Sequence, residues 1–451
     1  MRRALLVTSL LVSGCASIDP ARGHSDVAKS VEARTGLKTH WENGTPEDAD
    51  VAKRVDELIH DGLTRERAVE IALVNNRRLQ ATYEELGISQ AELVQAGLLK
   101  NPTFSGSVGF PILSGITETE FQLAQDFLDL FILPLRKKVA AEQFAADTAR
   151  VTDAALQIAT ETSVAFVDVQ AGAKEQELLG TLRETAVAAR ELARRQREAG
   201  NITELALASQ EATASTADLE FSRAQLRLLE AREHLNRLLG LFGPQTAWKL
   251  AAELQPLPEK DPSLEHAESR AIRDRLDVEA ARRTADLMEE AVSVARTSRA
   301  TGFVEIGIHT HQDPNGPRLT GPTLSLELPI FDQRTALIAR LEAQARQSRK
   351  TLEAVSIDVR SEVRVAVARF TIARRAAEQY SRELLPLRER VLQQAQLQYN
   401  AMQLGPFELL QAKREQTDAY RGYLQSLRDY WAARAELERA IGGSLNEGAK
   451  R

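Results

Sequence analysis

Two short runs in this chain hold residues whose type and spacing could do chemistry. The first is Val12-Ser13-Gly14-Cys15, where small residues lead straight into the only cysteine. It follows a basic Arg2-Arg3 pair and a short apolar stretch, Ala4–Val12. Together these read as a bacterial lipobox, with cleavage before Cys15 and then acylation of its thiol and amine. The alternative is an ordinary secretory signal with a chance cysteine. Each buried acyl methylene would add roughly 0.8 kcal/mol of membrane affinity. The second run is His309-Thr310-His311. In a strand, residues two apart share a face, so the two imidazoles could ligate one metal ion. The plainer reading is an exposed loop feature. No carboxylate cluster in the sequence supports a site, so no metal is assigned. There is no phosphate-binding Gly-rich loop, no His-Glu-x-x-His and no Gly-x-Ser-x-Gly. The chain reads as a non-enzyme with no cofactor beyond a covalent lipid on Cys15.

The chain has 451 residues and a net charge of −6, and only 5% of it is aromatic. The length suits two or three domains. So few large rings favour thin layers such as helix seams over a thick globular core. A mildly acidic chain is a poor nucleic-acid binder, which needs a basic surface. Removal of residues 1–14 deletes Arg2 and Arg3 and takes the charge to −8. Ala16 follows the cysteine, where an aspartate would resemble an inner-membrane retention signal; its absence permits outer-membrane delivery. No later segment has the length and apolarity of a membrane-spanning helix. A crossing would therefore need a closed barrel.

The elements that must position these residues are organised twice over. Residues 1–14 read as a signal peptide and 15–62 as a lipidated N-terminal arm, extended until about Asp50. A first repeat occupies 63–243, a proline-rich linker 244–262, a second repeat 263–443 and a tail 444–451. Each repeat opens with a helix, capped by Thr64 in the first, with Ser263 in the matching place and Leu276 opposite Leu79. Each continues with two alternating segments around a turn and then a very long helix. Gly200 and Gly405 interrupt those helices, each ahead of a Glu-Leu pair, Glu204-Leu205 and Glu408-Leu409. Leu239-Gly240 and Ile441-Gly442 close the halves. A helix over about 65 residues would be a rod of roughly 100 Å. Val151, Ala155, Ala165, Val169, Leu179 and Leu182 recur along it at coiled-coil spacing, as do Val359, Val363, Ala366 and Phe370 in the second half. Pro386 predicts a kink. An ordinary long coiled coil would show the same periodicity.

The alternating segments carry a different signal. Phe104, Gly106, Val108 and Phe110 share one face, as do Phe121 and Leu123 after a turn at Leu113-Ser114-Gly115. Val304, Ile306 and Ile308 do likewise, followed by Asp313-Pro314-Asn315-Gly316-Pro317 and then Leu324, Leu326, Leu328 and Ile330. Strands of about nine residues, apolar on one face and small or polar on the other, suit a membrane barrel with a wet interior. Hairpins capping a soluble helical domain are the alternative. Four strands cannot close a barrel, and one of about eight fills with side chains, so three copies sharing about twelve strands would be needed for a passage. The helices would leave such a barrel through junctions near Pro102, Pro134, Pro322 and Pro329.

With these parts in order, the chain resembles the TolC family of outer-membrane efflux proteins. The carriers are the lipobox, the repeated "LTRERAVEIALVNNRRLQA" and "AIRDRLDVEAA", the two strand pairs, and the tips "REAGNITELALASQ" and "MQLGPFELLQAK". The resemblance implies a mainly α fold with a small β part: a long coiled-coil helical barrel plus four transmembrane strands per chain, closing a 12-stranded barrel in a homotrimer. It implies a passive exit duct of a tripartite system, with a periplasmic adaptor and an inner-membrane pump of resistance-nodulation-division type as partners. Lipidated members resemble the partners of drug or heavy-metal pumps. By the same resemblance Gly200, Asn201, Ile202, Gly405, Pro406 and Phe407 form exposed tips where the adaptor docks. Glu408, with Gln411 in the other acidic position, would constrict the channel; a solvated helix-start glutamate is the plain alternative. Where the family often has Asn-Pro and Arg-Pro, this chain has Asn76-Arg77 and Asp274-Arg275, so helix direction there is open. The competing reading is a lipid-anchored periplasmic adaptor or coiled-coil scaffold, which would carry one helical hairpin within β-rich domains.

Overall fold

The structure is a computed structural model. It describes residues 21–445 except 111–116, 127–128, 298, 300–303, 313–315 and 328–329. Cys15 and the signal segment 1–14 lie outside the described residues. So do Leu113-Ser114-Gly115, Phe303, Asp313-Pro314-Asn315, Leu328, Pro329 and most of the tail.

The first half contains α1 (Ala21–Thr35), α2 (Pro46–His60), α3 (Arg65–Asn75), α4 (Arg77–Ala96), β1 (Thr103–Gly109), β2 (Glu118–Asp126), α5 (Asp129–Glu198) and α6 (Glu204–Leu239). The second contains α7 (Ala267–Asp274), α8 (Leu276–Thr297), β3 (Val304–Gln312), β4 (Arg318–Leu326), α9 (Thr335–Gln379), a π-helical segment (Tyr380–Leu384), α10 (Leu385–Asn400) and α11 (Pro406–Ala440). The chain folds into two compact units. One takes residues up to Val27, Tyr83–Val151 and Leu276–Ile357; the other takes Ala28–Thr82, Thr152–Arg275 and the chain from Asp358. Each unit thus draws on both halves.

In the second unit, Leu58, Leu63, Ile71, Phe166, Val169, Leu235, Leu239 and Trp248 form one buried cluster. The linker closes it by pairing Leu63 with Leu250. The Trp248 ring lies 3.8 Å from the Arg232 guanidinium and its Nε1 donates to Asn236 Oδ1 at 2.7 Å. The seam residues Val151, Ala155, Ala165, Val169, Leu179 and Leu182 are buried along α5, and Val359, Val363, Ala366 and Phe370 along α9. Alanine at so many of these places lets helices approach closely.

Several expectations change in detail. The N-terminal arm is not extended: α1 buries Val27 and Val31, four residues apart on one helical face. The first repeat opens with two helices, not one. Asn76, only 2% exposed, leaves the helical region at ψ 117 and breaks the run. Its Nδ2 donates to Leu238 O at 2.7 Å and its Oδ1 caps α4 by accepting from Leu79 N at 2.9 Å. An asparagine side chain thus makes the break that a proline would force. Arg275 makes the equivalent break between α7 and α8, which sets Leu79 against Val278 instead of Leu276. Thr64 caps α3 as expected, but Ser263 caps nothing; α7 starts after His266, which sits at φ 58. Each break receives the glycine at the end of its own half. A Cβ on Gly240 would come within 2.4 Å of Asn75 O, and one on Gly442 within 2.9 Å of the Asp274 carbonyl carbon.

Of the junction prolines, Pro102 lies between α4 and β1. Pro134 lies inside α5 and Pro322 inside β4, an edge strand of the sheet, where a missing N–H is tolerated. At Pro386 the helix changes geometry. The proline supplies no N–H, and the turn before it widens to π geometry, with Leu385 N donating to Tyr380 O.

The linker also locks α11. Trp431 Nε1 donates to Gln255 O at 2.8 Å, and the Tyr430 hydroxyl donates to Asp261 Oδ1 at 2.8 Å beside Arg374. Burial, reinforced by the Asp261 carboxylate, pushes the Tyr430 phenol up to about 12. The folded chain holds this proton more tightly than the unfolded chain, whose tyrosines titrate near about 10. Stability from this group is therefore complete below about pH 10 and is lost as pH rises toward about 12. Urea unfolding midpoints should fall across that window, and a Tyr430→Phe variant should show a smaller fall.

Candidate functional site

The four strands form one antiparallel sheet in the order β1-β2-β3-β4. The register sorts the side chains by face. Phe104 pairs with Leu123, Leu123 with Ile308, Ile306 with Leu324, and Val304 with Leu326, so one face carries an apolar band, bounded toward the hairpin turns by Thr310, Thr320, Gln312 and Arg318. The other face carries Ser105, Ser107, Glu118, Glu120, Gln122, Glu305, His309, His311, Thr323 and Ser325. The apolar face is the open one: Phe104 and Leu324 are each 70% exposed, and Val108, Leu123, Ile308 and Leu326 are exposed as well. The polar face is the more enclosed, with Ala124 and Gly307 buried and His309 and His311 half-buried. Gly307 is needed where it stands, because a Cβ there would meet Leu123 O at 2.5 Å and Ala124 Cβ at 2.9 Å.

On that polar face the register brings together residues that the sequence keeps apart. His309 Nε2 is 2.9 Å from Glu120 Oε1, and His311 Nε2 is 3.3 Å from Glu118 Oε1. The two imidazoles lie nearly parallel with centroids 6.0 Å apart. The carboxylates found wanting in the sequence are supplied by the neighbouring strand. Among the described residues no group of three or more His, Cys, Asp or Glu side chains could hold a metal ion. No described helix is long and apolar enough to cross a membrane.

The two helical tips are the other candidate surface. At the first, Gly200 sits at φ 75 and closes α5, with Gly200 N bonded to Arg197 O and Asn201 N to Gln196 O. Thr203 then caps α6, accepting from Ala206 N at 3.2 Å. The second tip repeats this pattern, but not with Gly405. Met402, at φ 58, closes α10 through the same pair of backbone bonds, to Tyr399 O and Gln398 O. Gly405, at φ −77, is the residue before α11 and the counterpart of Thr203. The pairing of Gly200 with Gly405 is therefore corrected to Gly200 with Met402, and the two Glu-Leu pairs are not equivalent. Exposure shifts too. Asn201 is exposed, but Ile202, Pro406 and Phe407 are half-buried. The exposed apolar tips are Met402, at 95%, and Leu205, at 81%. Methionine carries no sequence signal for a left-handed turn, so Met402 could not be singled out beforehand.

Glu408 is exposed in the first turn of α11, beside the positive end of the helix dipole. Gln411 donates to Glu415 Oε1 at 3.1 Å, and Glu415 Oε2 accepts from Arg388 of α10 at 2.5 Å. Further along α11, Arg421 Nη2 donates to Glu175 at 3.1 Å, with Glu220 at 3.8 Å. Arg227 of α6 reaches the same Glu175 oxygen at 3.0 Å. Arg428 Nε donates to Asp168 at 2.5 Å, and that carboxylate raises the guanidinium's affinity for its proton. These contacts tie α11 to α5 and α6. They were invisible in the sequence because the partners lie far apart along the chain.

The tip geometry separates three substitutions. Gly200→Ala should destabilise by roughly 1–2 kcal/mol, the cost of a Cβ in the left-handed region, and Met402→Gly should recover a similar amount. Gly405→Ala should do little, since only the flexible Glu408 carboxylate lies within contact distance of the added Cβ. Urea unfolding midpoints of the three variants provide the comparison.

No model of a known protein family matches the chain. It is 24% identical over 384 residues to the cobalt-zinc-cadmium resistance protein CzcC of Cupriavidus metallidurans, covering 84% of this chain and 90% of that protein. Among solved structures it is similar to a membrane protein from Pseudomonas aeruginosa, with a TM-score of 0.71 and 20% identity over 84% of this chain and 93% of that one. It is also similar to the open state of the MtrE outer membrane channel of Neisseria gonorrhoeae, with a TM-score of 0.69 and 20% identity over 87% of this chain and 89% of that one.

Proposed function

We propose that this chain, which has the fold of the TolC-family outer-membrane channels, is the passive exit duct of a tripartite efflux system. It carries small molecules or metal ions outward from a pump in the inner membrane. One observation carries the reading: the sheet leaves its large apolar side chains exposed on one face, while the opposite face is the polar and more covered one. A water-soluble sheet does the reverse, whereas a strand wall between lipid and a wet interior needs this arrangement.

A single chain cannot complete such a wall. Among the described residues the edge strands β1 and β4 are each paired on one side only. Exposed edges are templates for further pairing, and only closure removes them. Because β1 and β4 run in opposite directions, β4 of one copy can continue antiparallel onto β1 of the next. Three copies close twelve strands and leave a passage. The helices offer matching surfaces: Leu219, Leu226 and Leu229 on α6, and Val365 and Ile372 on α9, are exposed in the lone chain. The chain is thus read as a homotrimer, anchored by lipid on Cys15 and reaching into the periplasm.

An adaptor docks at the helical tips, through Gly200, Asn201, Ile202, Gly405, Pro406 and Phe407, with Met402 and Leu205 as apolar anchors. The pump behind it is of the resistance-nodulation-division type. The name of the Cupriavidus relative supports metal ions among the cargo. Glu408, with Gln411 one turn further on, forms the constriction. Three copies of one carboxylate held close together repel, which favours the neutral form or a bound cation. A lipid-anchored adaptor or scaffold is the weaker alternative, because it would have no use for an outward-facing apolar sheet.

The purified full-length protein should migrate as a heat-sensitive trimer and conduct ions in planar bilayers. Glu408→Ala should raise conductance or weaken cation block, and unchanged traces would remove the constriction from Glu408. A water-soluble, non-conducting monomer would sink the duct. Metabolic labelling with palmitate should mark the wild type and not Cys15→Ser.

A further inference from the structure

We infer that His309 and His311, each set against a glutamate of the adjoining strand, fix the ion preference of the passage according to the pH at its outer end. This rests on the duct reading above, in which the polar face of the sheet lines the passage.

The pairing is built by register. β2 and β3 run antiparallel with His311 opposite Glu120 and His309 opposite Gln122. Each imidazole leans one step along the partner strand, His309 to Glu120 and His311 to Glu118, so the same diagonal contact occurs twice in succession. Both pairs lie at the end of the sheet away from the helices, beside the hairpin turns. In a closed trimer they would make two adjacent tiers of imidazoles and carboxylates.

The other charges near these pairs are few. On the same face β2 adds Asp126 and β3 adds Glu305, both at the helix-proximal end, where Lys100 reaches Asp126 at 3.1 Å. β1 contributes Thr103, Ser105 and Ser107, and Ser107 lies 3.4 Å from Glu120. β4 contributes Leu319, Thr323 and Ser325, while its Arg318, paired with Gln312, falls on the apolar face. Among the described residues of the sheet, the outer tiers thus carry two carboxylates and two imidazoles per chain.

Imidazoles ordinarily change charge between about pH 5 and pH 8, while carboxylates stay ionised until about pH 4. With the imidazoles neutral the tiers carry only the glutamate charge and draw cations. When protonated, each imidazole offsets the glutamate it touches, and the draw on cations falls. A narrow passage between low-dielectric walls magnifies such a change.

The full-length trimer in planar bilayers under a salt gradient provides the test, with pH changed only on the side facing the hairpin turns. The K⁺/Cl⁻ permeability ratio, read from the reversal potential, should fall about threefold between about pH 8 and about pH 5.5. The double variant His309→Gln/His311→Gln should form trimers, conduct and show no fall. His309→Gln alone should lose about half of it, and serves if the double variant fails to assemble. Glu118→Gln/Glu120→Gln should start with a low ratio at the higher pH. Wild-type protein with a flat ratio, or a conducting double histidine variant with the full fall, overturns the inference and leaves the duct intact. Wild-type protein that never conducts overturns both.

Discussion

Everything in this molecule turns on a sheet too small to stand alone. Among the described residues the four strands leave two edges, and an unpaired edge leaves backbone groups to be satisfied elsewhere. The same sheet shows phenylalanine, leucine and isoleucine on its open face and packs a glycine and an alanine on the enclosed one. In water that arrangement would be costly, because each exposed apolar side chain forfeits roughly 1.5–3 kcal/mol of burial. In hydrocarbon, where the proposed duct would place the sheet, that cost would vanish and the open edges would become the larger penalty. The contact at Gly307 belongs to the same constraint, since a side chain there would push apart the strands that enclose the polar face.

The helical part answers a different demand. Long helices with alanine seams gain little per residue from burial. They are held instead by recurrent ends and by ion pairs between neighbours. Four helices close with one motif, in which paired backbone bonds follow a left-handed residue at Gly200, Gly240, Met402 or Gly442. Two of those closures seat against a helix break at Asn75-Asn76 or Asp274-Arg275. The duplication is therefore one of packing as much as of sequence: each half ends by docking on its own beginning. Partly exposed pairs such as Arg421 with Glu175 are worth about 1 kcal/mol or less each, so they steer alignment more than they supply stability.

How much of this could be read from the residues depended on range. Period-two alternation marked the strands, because a strand's faces are set by its own residues. The partners of His309 and His311 could not be read, because Glu118 and Glu120 reach them only through pairing between halves nearly 200 residues apart. Coiled-coil seams were legible on α5 and α9. The break at Asn76 was not, since asparagine breaks a helix only when its side chain finds a carbonyl such as that of Leu238. At the second tip, glycine drew attention to Gly405 while the left-handed turn fell on Met402, held there by the bonds that close the helix. The arm before residue 62 reads as polar because its apolar stripes, Val27 with Val31 and Val55 with Leu58, are each only about one turn long.

The π-helical turn ahead of Pro386 is one place where the two halves are not copies. Gly200 and Met402, like Gly240 and Gly442, are 202 residues apart, yet the helix breaks at Asn76 and Arg275 are separated by only 199. A π turn holds one residue more than the α turn it replaces and rotates the rest of the helix by about 100°. The lower part of the second arm therefore presents a different stripe to its neighbours from the one its upper part would have continued. A ring of the proposed kind would therefore alternate two unlike staves, and its symmetry would be that of whole subunits and not of the repeats within them.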